Sequence, residues 1–125
     1  MLQKTKMVVR KNLEKLYDCT CDVIEYKEIQ KENKSYVFDE VKVFENQPCK
    51  ISFESISKIN SVDDNGSNVP LSVKLFISPD VKISTGSKII VTQRNTLITE
   101  YKSSGKPAIY DTHQEIVLEL FKGWS

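Results

Sequence analysis

The side chains equipped for chemistry are few: one histidine, three cysteines and scattered carboxylates. His113 stands in the string YDTHQE, two positions after Asp111. Residues i and i+2 of a strand share a face, so an Asp–His hydrogen bond is open to this pair. It would supply a base and its orienter, but no serine or cysteine stands in a recognisable nucleophile setting. A hydrogen-bonded histidine at a strand start is the simpler expectation. Cys19, Cys21, Cys49 and His113 could in principle ligate a metal. A C-x-C pair with one distant Cys and one His lacks the usual spacing of such sites. Cys19 and Cys21 would also point to one face of a strand, too close in sequence to bridge easily. The expectation is reduced thiols filling a core, as small apolar groups do. Asp63 and Asp64 adjoin each other in a soft loop, a poor place to hold acid–base geometry. The string SSGK at 103–106 has only the tail of a phosphate-binding loop, with Pro107 where Ser or Thr belongs. No catalytic residue, metal or cofactor is expected, and no enzymatic activity.

Size and charge narrow the class further. The 125 residues fit one domain with one core. A net charge of +1 gives no strong pull toward nucleic acid or membrane. No apolar run approaches the roughly 20 residues that cross a bilayer, and the basic N-terminus lacks the pattern of a signal peptide. The chain is therefore expected in a cytoplasm. The charge is uneven: residues 1–16 sum to +4, residues 17–69 to −5, and residues 70–125 to +2. A basic arm beside an acidic middle could let one copy meet another, or could be solvated surface.

Most of the chain reads as strands. Leu71, Val73, Leu75 and Ile77 alternate with Ser72, Lys74 and Phe76, and Ile116, Leu118 and Leu120 with Glu115, Val117 and Glu119; period two marks a strand with one face in a core. VKIS, SKIIVTQ and TLITEYK lie between them. Residues 19–30 and 35–44 form a long hairpin with a charged tip at Lys31–Lys34. Asn46-Gln47-Pro48 breaks the run before a further strand, PCKISF, in which Cys49, Ile51 and Phe53 alternate inward. Turns are expected at Ser78-Pro79-Asp80, at Ser84–Ser87 with Gly86 at positive φ, and at Gln93–Thr96 with Asn95 left-handed. Residues 103–109 read as a bent, exposed connection. A short helix is expected over 6–17, capped by Thr5 and docked through Val9, Leu13 and Leu16, or else facing a partner. Residues 54–69 are rich in Ser, Asn and Asp and have no periodicity: a surface loop, or a segment ordered only against a neighbour. Trp124 near the C-terminus is read as a lid on the barrel, the alternative being an anchor in a partner's pocket. The fold class expected is mainly β: a small antiparallel barrel with a short N-terminal helix (residues 1–17) and a long internal loop.

The order of these pieces resembles the head-closure, or head–tail connector, proteins of tailed bacteriophages and phage-like defective prophages. The likeness is strongest at Pro48-Cys49, at Ser78-Pro79-Asp80 with Gly86-Ser87-Lys88, and over 101–121. It implies a structural virion protein that forms a homo-oligomeric ring at the portal vertex. Such a ring joins portal or adaptor to tail and helps retain packaged DNA without reading its sequence. Assembly would take place in the host bacterial cytoplasm, and the mature location would be the head–tail junction. By resemblance, loop 54–69 faces the channel through Lys58, Asn60, Asp63, Asp64, Asn65 and Gly66. Partner contacts are expected at Arg10, Lys11, Leu13 and Trp124. The competing reading is a small oligonucleotide-binding β-barrel, with Tyr101 and Tyr110 near Lys102 and Lys106 as its stacking surface.

Overall fold

A computed structural model describes residues 2–55, 71–94 and 97–124. A helix, α1 (Leu2–Glu14), precedes six strands: β1 (Cys19–Gln30), β2 (Tyr36–Ser55), β3 (Leu71–Ile77), β4 (Lys88–Gln93), β5 (Leu97–Ile109) and β6 (Gln114–Leu120). The strands close into a barrel in the order β1-β2-β3-β6-β5-β4, every neighbouring pair antiparallel. The expected mainly-β barrel with an N-terminal helix is the architecture found.

Alternation builds the core. Val23, Cys49, Leu75, Ile77, Ile89, Val91, Ile116 and Leu118 point inward and are almost wholly buried. Each large aliphatic side chain so buried contributes about 1.5–3 kcal/mol. The alternation fails at the strand ends: Phe53 is 54% and Leu120 60% exposed, so both leave the core that their parity assigned them.

Three segments differ from the sequence reading. Asn46-Gln47-Pro48 does not end a strand. The β1–β2 register shifts between Cys21 and Ile24 instead, leaving extra residues on β2, and Asn46 takes φ 52°. A β-bulge absorbs the break and sharpens the bend. Pro48 pairs with Thr20 on β1 and lies just before β2 begins to pair β3, where no donor is needed on that side. Residues 103–109 belong to β5, which bulges between Ser104 and Ala108, with Gly105 at φ 73°. VKIS is not a strand. Residues 78–87 must cross from β3 to β4, which lie opposite each other in the barrel. No ladder position is vacant for them, yet Val81 and Ile83 still turn inward and seal that end. Buried Gln114 holds the crossing by donating from Nε2 to the carbonyls of Ser78 and Val81. Gly86 has φ 89°, as its turn requires. In the β4–β5 turn it is Arg94 that takes φ 50°; Asn95 lies outside the described residues.

Strand lengths leave one part outside the barrel. β1 pairs β4 only from Cys19 to Ile24, and β2 pairs β3 only from Cys49 onward. Residues 25–30 and 36–41 therefore pair only with each other and project as a two-stranded arm. Its tip turns through Lys34 at φ 67°, closed by the Lys31 N–H donating to the Ser35 carbonyl at 2.8 Å.

Candidate functional site

Two surfaces outside the core collect exposed apolar groups, and each is positioned by a specific element. The first is α1. It begins at Leu2, so Thr5 lies inside the helix and does not cap it. The docking face is only partly the one expected. Val9 (44%) and Leu16 (61%) are exposed, while Arg10, Leu13 and Tyr17 turn toward the barrel. Arg10 acts as the tether. Its Nη2 donates to Ser78 Oγ and Asp80 Oδ2 at 2.5 Å each, and its Nε to Glu14 Oε2 at 3.0 Å. The hydrogen bonds it donates to Asp80 and Glu14 raise the guanidinium pKa further, so the tether stays charged at any working pH. Leu13, Leu16 and Tyr17 line a shallow groove of about 280 Å³ with Lys50, Ser52, Phe76 and His113. Tyr17 Oη is buried there without a hydrogen-bond partner among the described residues, and burial raises its pKa. Lys11 is exposed on the outer side of the helix. Of the expected partner contacts, Arg10 and Leu13 thus face the chain's own barrel and Lys11 faces away.

The second surface is the outer face of the arm. Cross-strand partners share a face, which puts Tyr26, Glu28, Phe38, Glu40 and Tyr36 together. Tyr26 stacks on Phe38 at 5.5 Å and on Trp124 at 5.0 Å between ring centroids. Phe121 meets Trp124 edge-on at 5.0 Å. The tail therefore crosses the outside of the barrel to the arm's base, and Trp124 clasps that arm from outside; it does not cap the barrel. Trp124 Nε1 donates to Glu40 Oε2 at 2.9 Å. Lys88, 11% exposed, joins the same carboxylate at 3.2 Å, reaches Glu100 at 3.7 Å and lies 4.8 Å over the Phe121 ring. The hydrogen bonds from Trp124 and then Lys88 hold the Glu40 carboxyl below the usual carboxylate range. Beyond this clasp Tyr36 (61%), Phe38 (58%) and Tyr26 (45%) remain exposed.

The groups singled out for chemistry take structural places. His113 Nε2 meets Glu115 Oε2 at 2.9 Å and Nδ1 meets Thr112 Oγ1 at 3.1 Å, so Glu115 supplies a carboxylate to the ring. Its ring stacks on Tyr110 at 4.9 Å. Cys19, Cys21 and Cys49 are free and buried in one core cluster. Burial pushes the Cys19 thiol up to about 11; contact with Cys21, then burial, pushes Cys49 up. Among the described residues no three His, Cys, Asp or Glu side chains gather as metal ligands, and no helix is long and apolar enough to cross a membrane. Tyr101 is 5% exposed inside the barrel, which removes it from any base-stacking surface. Lys58, Asn60, Asp63, Asp64, Asn65 and Gly66 lie outside the described residues. Glu54 and Ser55, expected in that loop, belong to β2, and Ser55 pairs with Leu71.

No protein-family model matches the chain, and no curated protein matches its sequence. Among solved structures, the chain is similar to the phage-like element PBSX protein xkdH from Bacillus subtilis. The two are 13% identical with a TM-score of 0.49, and the match covers 82% of this chain and 93% of that one.

Proposed function

We propose that the chain is a structural subunit of a phage-type head–tail connector that works by assembling rather than by catalysis. Copies form a ring at the portal vertex of the virion, between portal or adaptor and tail. The ring helps keep packaged DNA in the head. The chain's own residues carry this reading: the ENQPCKISF, SPD and 101–121 patterns resemble connector proteins, and the expected loop springs from the paired base Ser55–Leu71.

The structural observation in favour is that both parts projecting from the barrel carry uncovered apolar side chains. Phe38 and Tyr36 stand out on the arm, Met7 and Val8 on the helix, all more than half exposed. Rings held out on such an arm lose their contact with water only when a neighbour covers them. Sites that work by contact between subunits are expected to look this way.

The test mixes the full chain with rings of its portal-side neighbour and reads the product by electron microscopy and native mass. A second, defined ring layer on the portal supports the reading. Absence of any complex ends it.

A further inference from the structure

We propose that the aromatic face of the arm is a docking surface for helix α1 of a second copy of this chain. The inference deepens the ring reading and rests on it for the expectation that copies meet side by side.

The two surfaces are borne by different parts of the molecule. The groove under α1 is floored by Lys50, Ser52 and Phe76, outward residues of β2 and β3. The aromatic face is carried by the outer ends of β1 and β2, and its base lies beside β4, where Lys88 binds Glu40. Within one chain the two stay apart: Tyr36 and Phe38 remain more than half exposed on the arm, while Arg10 ties α1 to Ser78 and Asp80 beyond the end of β3. A neighbour standing beside the chain can bring its helix to the arm.

The two surfaces match in kind. Tyr36, Phe38 and Tyr26 offer flat, half-rigid rings that lose little rotamer entropy when covered. Met7 and Val8 offer an uncovered apolar patch, 59% and 58% exposed. Charge is complementary as well. Residues 1–16 sum to +4, whereas the arm, residues 25–41, carries five acids against three lysines. Glu28 sits opposite Phe38 on the docking face, and Lys11 lies on the open side of the helix. Opposed charges of this sort set register and speed encounter.

The contact is heterologous, arm of one copy on helix of the next. Repetition from copy to copy then gives a closed ring or an open filament, whereas a reciprocal exchange would stop at a two-fold dimer. That asymmetry makes a sharp test. Tyr36→Ser with Phe38→Ser spoils the arm; Met7→Asp with Val8→Asp spoils the helix. Sedimentation velocity is expected to show self-association weakened roughly 30-fold in each, the effect of losing an interface anchor. Thermal midpoints should stay near wild type, because neither pair belongs to the core. Mixing the two variants should give a dimer that grows no further, since one intact arm faces one intact helix. Unchanged self-association in either variant, or a mixture that stays monomeric, overturns the proposal. So does a wild-type chain that remains monomeric up to about 1 mM. Should a variant fail to fold, Lys11→Glu mixed with Glu28→Lys provides the same reading by charge exchange: each alone weakened, the mixture restored. No such restoration also overturns it. Binding to a portal-side ring is scored separately, so this contact can fail while the connector reading stands, and the reverse.

Discussion

Trp124 Nε1 donates to Glu40 Oε2 at 2.9 Å across 84 positions of sequence. This bond fastens the tail to the arm, and the arm's exposed rings continue outward from it. It links the last described residue of the chain to the surface on which the proposed assembly depends.

The bond makes the tail sensitive to acid. Glu40 has a folded pKa lowered first by Trp124 and then by Lys88. A group depressed on folding contributes stability that is present above its unfolded pKa, about 4.3, and lost as pH falls through the lower folded value. Emission of the single tryptophan should therefore shift toward that of an exposed indole below the usual carboxylate range. Glu40→Gln should abolish the pH step while keeping near-native emission at neutral pH. A step of the same size in Glu40→Gln would show that another group titrates.

Helix α1 should detach when its tether is cut. Arg10→Ala removes donors to Ser78, Asp80 and Glu14 together. Partly exposed pairs are each worth about 0–1 kcal/mol, so global stability should fall by little more than about 1 kcal/mol. Amide exchange over residues 2–14 should nevertheless rise sharply while the strands stay protected. Equal loss of protection in helix and barrel would contradict the tether role.

The barrel should unfold as one core. Leu75→Ala empties a fully buried position and should cost about 2–5 kcal/mol in urea unfolding. Leu120→Ala, at the exposed end of β6, should cost under about 1 kcal/mol. Comparable losses at both positions would mean that the core boundary is misplaced.

The three thiols should be silent in the folded protein. Burial raises Cys19 to about 11, so at pH 8 the reactive thiolate is scarce. Alkylation should track global unfolding and accelerate with denaturant at its midpoint. Rapid labelling of Cys49 in native buffer would contradict its complete burial.

How much of this was legible in the residues depended on period and on distance. Leu75 with Ile77, Ile89 with Val91 and Ile116 with Leu118 alternate over enough positions for the barrel strands to be read directly. Val81 and Ile83 carry the same alternation but face a barrel whose ladder positions are taken, so the pattern reports burial without a strand. Asn46 and Gly105 read as breaks because local chemistry cannot tell a bulge from a turn; only the partner strand decides. The docking face of α1 was read only in part, because Arg10 meets the barrel through polar partners beside Leu13 while Val9 points away. The Trp124–Glu40–Lys88 clasp had no local signal at all, since its members lie far apart in the chain.

The account stands most directly on whether copies build a ring. The decisive measurement is electron microscopy, with native mass, of the full chain mixed with its portal-side neighbour. The expected result is one layer of regularly spaced subunits on the portal, lost when Phe38 and Tyr36 are both replaced by serine. A chain that stays free in solution beside intact portal rings would contradict the account.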